Sequence, residues 1–225
     1  MTSRFHAPLG AVLLAALAVA GCGGQGGQAP AGTTPAASSA AATSSAAGPA
    51  ARTGAPWFDE VRAATGAGQV SSACAKLPVD FEVAKAYVPK EVTEAAKIPA
   101  LGQKGPFTLA CEIDAKPAGN LGFLRVWAAD KALAGKAGLD GFLAAVKGAA
   151  KVDSRDYPVG GVTTLEATYV TPDPLEDGKE RDQRVLVVPL TATTLVLELG
   201  GLDSDESKEM LPAFVLARQT LKPKA

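Results

Sequence analysis

Beyond its leader segment this chain carries no histidine. The one imidazole in 225 residues is His6, inside an N-terminal run read below as a removed signal. Ser-His-Asp and Cys-His nucleophile systems need an imidazole base and cannot be assembled without it. Most catalytic zinc sites use at least one histidine ligand as well. Carboxylates remain. Glu112 and Asp114, in "FTLACEID", would project from one face of a strand, the placement an acid and base pair needs in glycosidase-like hydrolysis. The opposite face would carry Phe107, Leu109, Cys111 and Ile113, a buried set, so the two acids read more simply as solvent-facing.

Glu166 and Glu198 lie within apolar strand candidates, where burial would perturb them. Alternation sets Glu198 beside Thr194 and Val196, opposite Leu195, Leu197 and Leu199, and a salt bridge is the simpler expectation. The run "DPLEDGKERD" at 173–182 has the acid density of a calcium loop. It lacks the D-x-[DN]-x-[DN]-G spacing and the bidentate Glu of an EF-hand, so a solvated hairpin tip is expected. "SDES" at 204–207 reads as the start of a helix with Asp203 or Ser204 as N-cap. "VGG" at 159–161 reads as a turn and not a phosphate loop, since no helix follows it directly. Trp127, Arg125 and Phe123 share a strand face, which would be a stacking patch for a sugar or partner if open and a packed surface if helix-covered. No catalytic, cofactor-binding or metal-binding residue is assigned, and the chain is not expected to be an enzyme.

The N-terminus is readable on other grounds. Arg4 and His6 supply a short positive region, Leu9 to Ala20 is apolar, and Val19, Ala20 and Gly21 shrink toward Cys22. The apolar run is shorter than the roughly 18 to 20 residues that span a bilayer as a helix. Val19-Ala20-Gly21-Cys22 resembles the lipobox of bacterial lipoproteins. That resemblance implies a thioether-linked diacylglycerol on Cys22 and cleavage after Gly21; an ordinary secreted protein with a stray cysteine is the alternative. Two or three acyl chains, at about 0.8 kcal/mol per buried methylene, hold a protein on a membrane where one would not.

Residues 1–21 are therefore expected to be signal, 22–55 a disordered tether, and 56–225 one extracytoplasmic domain. The tether is Ala, Gly, Ser, Thr, Pro and Gln with no charge before Arg52, and such composition cannot bury enough apolar surface to offset its ordering entropy. As a coil its ends would lie on the order of 30 Å apart. With Cys22 given to lipid, the remaining two of three cysteines, Cys74 and Cys111, form an even pair. In an oxidising compartment they are expected to join as a disulfide, with buried free thiols as the alternative. A net charge of −1 without a basic stripe excludes nucleic acid as a partner.

These residues need a scaffold. Pro56, Trp57, Phe58, Val61 and Ala64 predict a short helix before the Gly66-Ala67-Gly68 break. Phe81, Val83 and Tyr87 suggest a first strand, 107–114 a half-buried strand, and 121–128 its antiparallel partner. Leu139, Phe142, Leu143, Val146 and Ala150 make a helical stripe, with Lys147 and Lys151 toward its end. Strands are expected at 162–170, 184–189 and 193–199, with 172–182 as a loop. A last helix spans about 205–221, in which Pro212 predicts a kink or a start near Leu211. The order has no βαβ alternation, so the fold class is α+β, an antiparallel sheet flanked by helices.

That order, with the closing run "TTLVLELGGLDSDESKEMLPAFVLARQTLK", resembles the Mog1/PsbP-like α/β/α sandwich, including the LpqN-type lipoproteins of actinobacteria. The cysteine pair also resembles small actinobacterial lipoproteins of the DUF3558 kind. Either resemblance implies a noncatalytic module for an envelope protein or small ligand, with no functional residue carried over. A lipid or hydrophobic-ligand carrier, with an apolar cavity between sheet and helices, is the alternative; a carboxylate hydrolase is a distant third.

Overall fold

Period-two alternation in β-branched and apolar residues dominates the second half of the chain, and it produces one large sheet. A computed structural model describes residues 61–92 and 98–224. The leader, Cys22, the tether and residues 56–60 of the expected first helix lie outside the described residues. The described elements run β1 (Gly66–Gln69), β2 (Val79–Asp80), β3 (Glu82–Ala84), β4 (Val88–Glu91), α1 (Pro99–Gly102), β5 (Gln103–Lys104), β6 (Phe107–Asp114) and β7 (Phe123–Ala129). They continue with α2 (Gly135–Leu143), β8 (Ala150–Val159), β9 (Val162–Pro172), β10 (Glu180–Pro189), β11 (Thr194–Gly200), α3 (Ser204–Thr220) and β12 (Lys222–Pro223). The main sheet has the order β4-β6-β7-β11-β10-β9-β8, with β5 beside β6. Every pairing in it is antiparallel. The fold class is α+β.

Each face of the sheet has its own core. Cys111, Ile113, Leu124, Leu186, Leu197 and Leu199 pack with Met210 and Phe214 of α3 and with the segment around β2 and β3. Trp127, Ala167, Tyr169, Val185, Val187 and Val196 pack with Leu139 and Phe142 of α2 on the other face. Residues 185–188 alternate between the two cores, as a strand buried on both sides must. Cys74 and Cys111 are joined as a disulfide across a sequence separation of 37, with Cα atoms 6.0 Å apart. The bridge fastens the chain before β2 to the middle of β6.

Several expectations are corrected. The set Phe107, Leu109, Cys111, Ile113 does not share one face: the β6–β7 register shifts between Leu109 and Cys111, sending the first two to the α2 core and the last two to the α3 core. A bulge inserts one residue and so reverses every side chain beyond it. Helix α2 starts earlier than the stripe suggested and stops at Leu143. Gly148 then takes φ +73, a left-handed turn that ends the helical course, while Val146 still packs on the core from that turn. Lys151 is no helix terminus; it stands in β8 and pairs with Glu180 at 2.5 Å.

β8 takes in the expected helix end at 150–151 and the start of the expected turn at 158–159, and joins them through 152–157, for which no element is expected. It is a mostly exposed edge strand of polar residues containing Pro158, a position where a missing N–H costs no ladder bond. Val61 to Ala64 are not helical, and the Ala64 N–H donates to the Pro212 carbonyl at 2.9 Å. β1 replaces the expected break at 66–68. Tyr87 sits in a turn rather than on the strand with Phe81 and Val83, which itself divides into β2 and β3. Pro212 lies inside α3, which runs on from Ser204. The Asp203 side chain caps it, accepting from the Glu206 N–H at 2.8 Å.

Candidate functional site

The bulge in β6 gives the sheet a hollow with a polar lining. By turning Glu112 onto the α2 face, it sets Glu112 opposite Arg125 of β7, and Arg125 opposite Glu198 of β11. Three strands thus bring acid, base and acid side by side. Arg125 Nε donates to Glu112 Oε1 at 2.9 Å, and its guanidinium lies 4.8 Å from the Phe123 ring centre. Trp127 Nε1 donates to Glu198 Oε2 at 2.8 Å. Lys104 Nζ donates to the other Glu198 oxygen at 2.5 Å and stands 4.8 Å from the Trp127 ring and 4.9 Å from Phe142.

Lys104 reaches this place through local turn geometry. β5 pairs with the start of β6, and the connecting Gly105 has φ +56 with α2 pressed against it. A Cβ on Gly105 would fall 2.3 Å from the Gly141 carbonyl oxygen, so only glycine lets α2 seat there. The result is a pocket of about 420 Å³ lined by Leu101, Lys104, Leu109, Glu112, Arg125 and Trp127. Trp127 is only 2% exposed, its ring edge-to-face with Phe142 at 6.0 Å. Glu198 is 6% exposed at its side chain and Lys104 25%. The floor is buried and the rim is partly exposed.

Glu112 is therefore not a solvent-facing acid; it lines the pocket with a base attached. Asp114, its neighbour in the supposed pair, is engaged elsewhere, accepting from the Lys116 N–H and from Lys90 Nζ, both at 3.0 Å. Those two bonds hold its carboxyl below the usual range. Phe123, Arg125 and Trp127 do share one face, with Trp127 packed beneath α2 and Arg125 at the rim. Glu198 has the ion pair its alternation suggested.

Glu166 lies on the other face and is fully buried. It accepts from Arg184 at 3.0 Å and Arg155 at 3.4 Å, and Arg218 stacks 3.6 Å over Tyr157 nearby. Burial pushes the Arg218 pKa down. At 173–179 the Asp173 carboxylate accepts the Leu175 and Glu176 N–H groups, making a hairpin tip, while residues 180–182 belong to β10. Gly160 and Gly161 form the β8–β9 turn with φ +58 and +79. No group of three or more metal-ligating side chains gathers among the described residues.

Sequence reading missed Lys104 and a polar trio beside the pocket. Tyr169 Oη, Thr171 Oγ1 and Gln183 Nε2 are buried on the α2 face and make no hydrogen bond to another described residue. Burial foremost, and then the Glu198 carboxylate, raise the Tyr169 pKa well above that of a free phenol. A second hollow, of about 170 Å³, lies by the disulfide and is lined by Cys74, Leu77, Pro78, Val92, Ala110 and Ala128. It is more apolar and smaller.

No curated protein matches this chain. Among solved structures, the solution structure of cyanobacterial PsbP (CyanoP) from Synechocystis sp. PCC 6803 is similar at 11% identity and a TM-score of 0.42, over 65% of this chain and 87% of that one. The α+β assignment rests on the strand order of this chain itself. The family model described as "uncharacterised lipoprotein" matches residues 37–221, and with most of its length so matched the chain belongs to that lipoprotein family.

Proposed function

We propose that this protein is a noncatalytic binding module, held by lipid on Cys22 at the outer face of the cell membrane, that takes an envelope protein or small ligand in the Lys104–Arg125 pocket. Membership of a lipoprotein family implies anchoring at an envelope membrane. The lipobox pattern supports Cys22 as the attachment point and the extracytoplasmic face as the address. The observation that carries the binding reading is the pocket. At about 420 Å³ it falls within the range of about 300–1,000 Å³ for small-molecule sites, and like them it joins apolar walls to a few convergent polar groups. The hollow by the disulfide, about 170 Å³, is smaller than that range, and one of about 310 Å³ lined by Val162, Pro189, Leu190 and Pro223 reaches only its lower end.

A noncatalytic role fits the same geometry. Both pocket carboxylates are tied to bases, and general acid–base work needs a group free to exchange its proton with substrate. A photoreactive benzoylphenylalanine tests the reading. It would replace Leu101 at the pocket rim, 62% exposed, or Leu175 at the hairpin tip, 63% exposed. Illumination of intact envelopes is expected to give a discrete adduct from position 101, lost on adding Arg125→Glu, and none from 175. Equal adducts from both positions, or none from 101, would contradict it.

A further inference from the structure

We infer that Arg181, Gln183, Tyr169 and Thr171 form a closed site for one small monovalent anion of halide size, beside the turn that follows α2. The site is separate from the Lys104–Arg125 pocket, whose lining includes none of the four, so its failure would leave the pocket reading standing. Arg181 of β10 is paired with Thr171 of β9, and Gln183 with Tyr169. Directly opposed residues of an antiparallel pair project to one face with Cβ atoms about 4.5–5.5 Å apart, and residues two apart on a strand share that face. The four side chains therefore make a two-by-two block at the α2 core, to which Tyr169 belongs. The turn at 144–149 lies against it: Val146 and Ala149 pack on the same core, and a Cβ on Gly148 would fall 2.6 Å from Pro172 Cδ. Each of the four ends in a buried polar atom without a hydrogen bond: Arg181 Nε, Gln183 Nε2, Tyr169 Oη and Thr171 Oγ1. Tyr169, Thr171 and Gln183 are 1%, 6% and 3% exposed. Buried polar groups in native proteins have partners, and four adjoining ones call for a shared one.

Charge and donor chemistry choose the ligand. This face of the sheet sets Lys104, Arg125 and Arg181 against Glu112 and Glu198. Lys104 is closed on Glu198 and Arg125 on Glu112, and the other Glu198 oxygen is taken by Trp127. Arg181 is left over. Its Nη1 donates to the carbonyls of Gly201 and Leu202 at 3.1 and 3.2 Å, neutral acceptors that do not balance its charge. Its neighbours on β10 alternate to the opposite face, where Glu180 is bonded to Lys151 and Asp182 lies in the field of Lys208 and Arg184. The turn at 144–149 adds one more cation, the exposed Lys147, and no acid. A half-buried cation without a counter-charge is costly, and an anion against Nε relieves that cost. Water does not, because a neutral molecule leaves the charge as it stands. The donors agree: Arg181 Nε and the Gln183 amide nitrogen can only donate, and the Tyr169 and Thr171 hydroxyls can turn to do so. Burial foremost keeps the Tyr169 phenol protonated. Since the four polar atoms are shut off from solvent, an ion of one atom suits them better than a carboxylate or phosphate. Through Arg181 the ion ties the β9–β10 ladder to the chain entering α3.

The test follows thermal unfolding of the full lipidated chain in nanodiscs by near-ultraviolet circular dichroism, as sodium chloride replaces sodium gluconate at constant ionic strength. A ligand that binds only the folded state raises the midpoint with the logarithm of its concentration, and a rise of about 3 °C or more between about 1 and 300 mM chloride is expected. Gln183→Glu sets a carboxylate of nearly the same shape beside Arg181 in place of the ion. It is expected to hold the chloride-free midpoint at or above that of the unaltered chain and to abolish the rise. Should that variant unfold, crystals of the unaltered chain grown with bromide decide the matter, and one anomalous peak in contact with Arg181 Nε and Gln183 Nε2 is expected. A midpoint indifferent to chloride, an equal rise in folded Gln183→Glu protein, or water alone in the block with bromide present as an adventitious ion only would overturn the inference.

Discussion

Glu198 shows how a carboxylate is kept within an apolar strand. Its two oxygens are divided between an ammonium and an indole N–H, and its side chain is 6% exposed. Removing the ammonium leaves a buried anion half-satisfied. Lys104→Met is therefore expected to destabilise by about 1–3 kcal/mol, below the roughly 3–5 kcal/mol of a fully buried pair because Lys104 keeps a quarter of its side chain in solvent. Adding Glu198→Gln removes the stranded charge and keeps an acceptor for Trp127, so the double variant is expected to recover some of the loss. Urea unfolding of the single and double variants checks this; a double variant no more stable than Lys104→Met would contradict it. Glu112, Arg125, Trp127 and Glu198 each stood out in the sequence by type and alternation. Lys104 did not, because it sits on a two-residue strand 94 positions from its partner, with no local pattern to mark it.

At the scale of elements, alternation revealed β6, β7, β9, β10 and β11, since each buries at least one face. It could not reveal the bulge. Both faces of β6 meet an apolar core, so reversing Cys111 and Ile113 exposes nothing, and the pattern reads on as if unbroken. β8 escaped for the opposite reason: an edge strand exposed along most of its length has no buried face to set a period. The convergence of the pocket residues was also hidden, because β7 and β11 are neighbours in space although α2 and three strands separate them in sequence. The Cys74–Cys111 bridge closes a loop over a separation of 37. Replacing both cysteines with serine is expected to cost roughly 3–4 kcal/mol by loop-closure entropy, read as a lowered urea midpoint. An unchanged midpoint would show that the segment before β2 is held by packing alone.

For the whole molecule, the anchor decides what the pocket is for. A domain bound to a membrane meets only partners and ligands of that compartment, and a weak site suffices where local concentration is high. The family match begins at residue 37, downstream of Cys22, so the attachment point stands on the lipobox resemblance and is open to direct measurement. Purification of the protein from native membranes, followed by digestion and mass spectrometry of its first peptide, is that measurement. The expected peptide begins at Cys22 and carries a diacylglyceryl group, while Cys22→Ala protein is uncut or released from the membrane. A mature terminus elsewhere, without lipid and with membrane retention intact, would contradict the account.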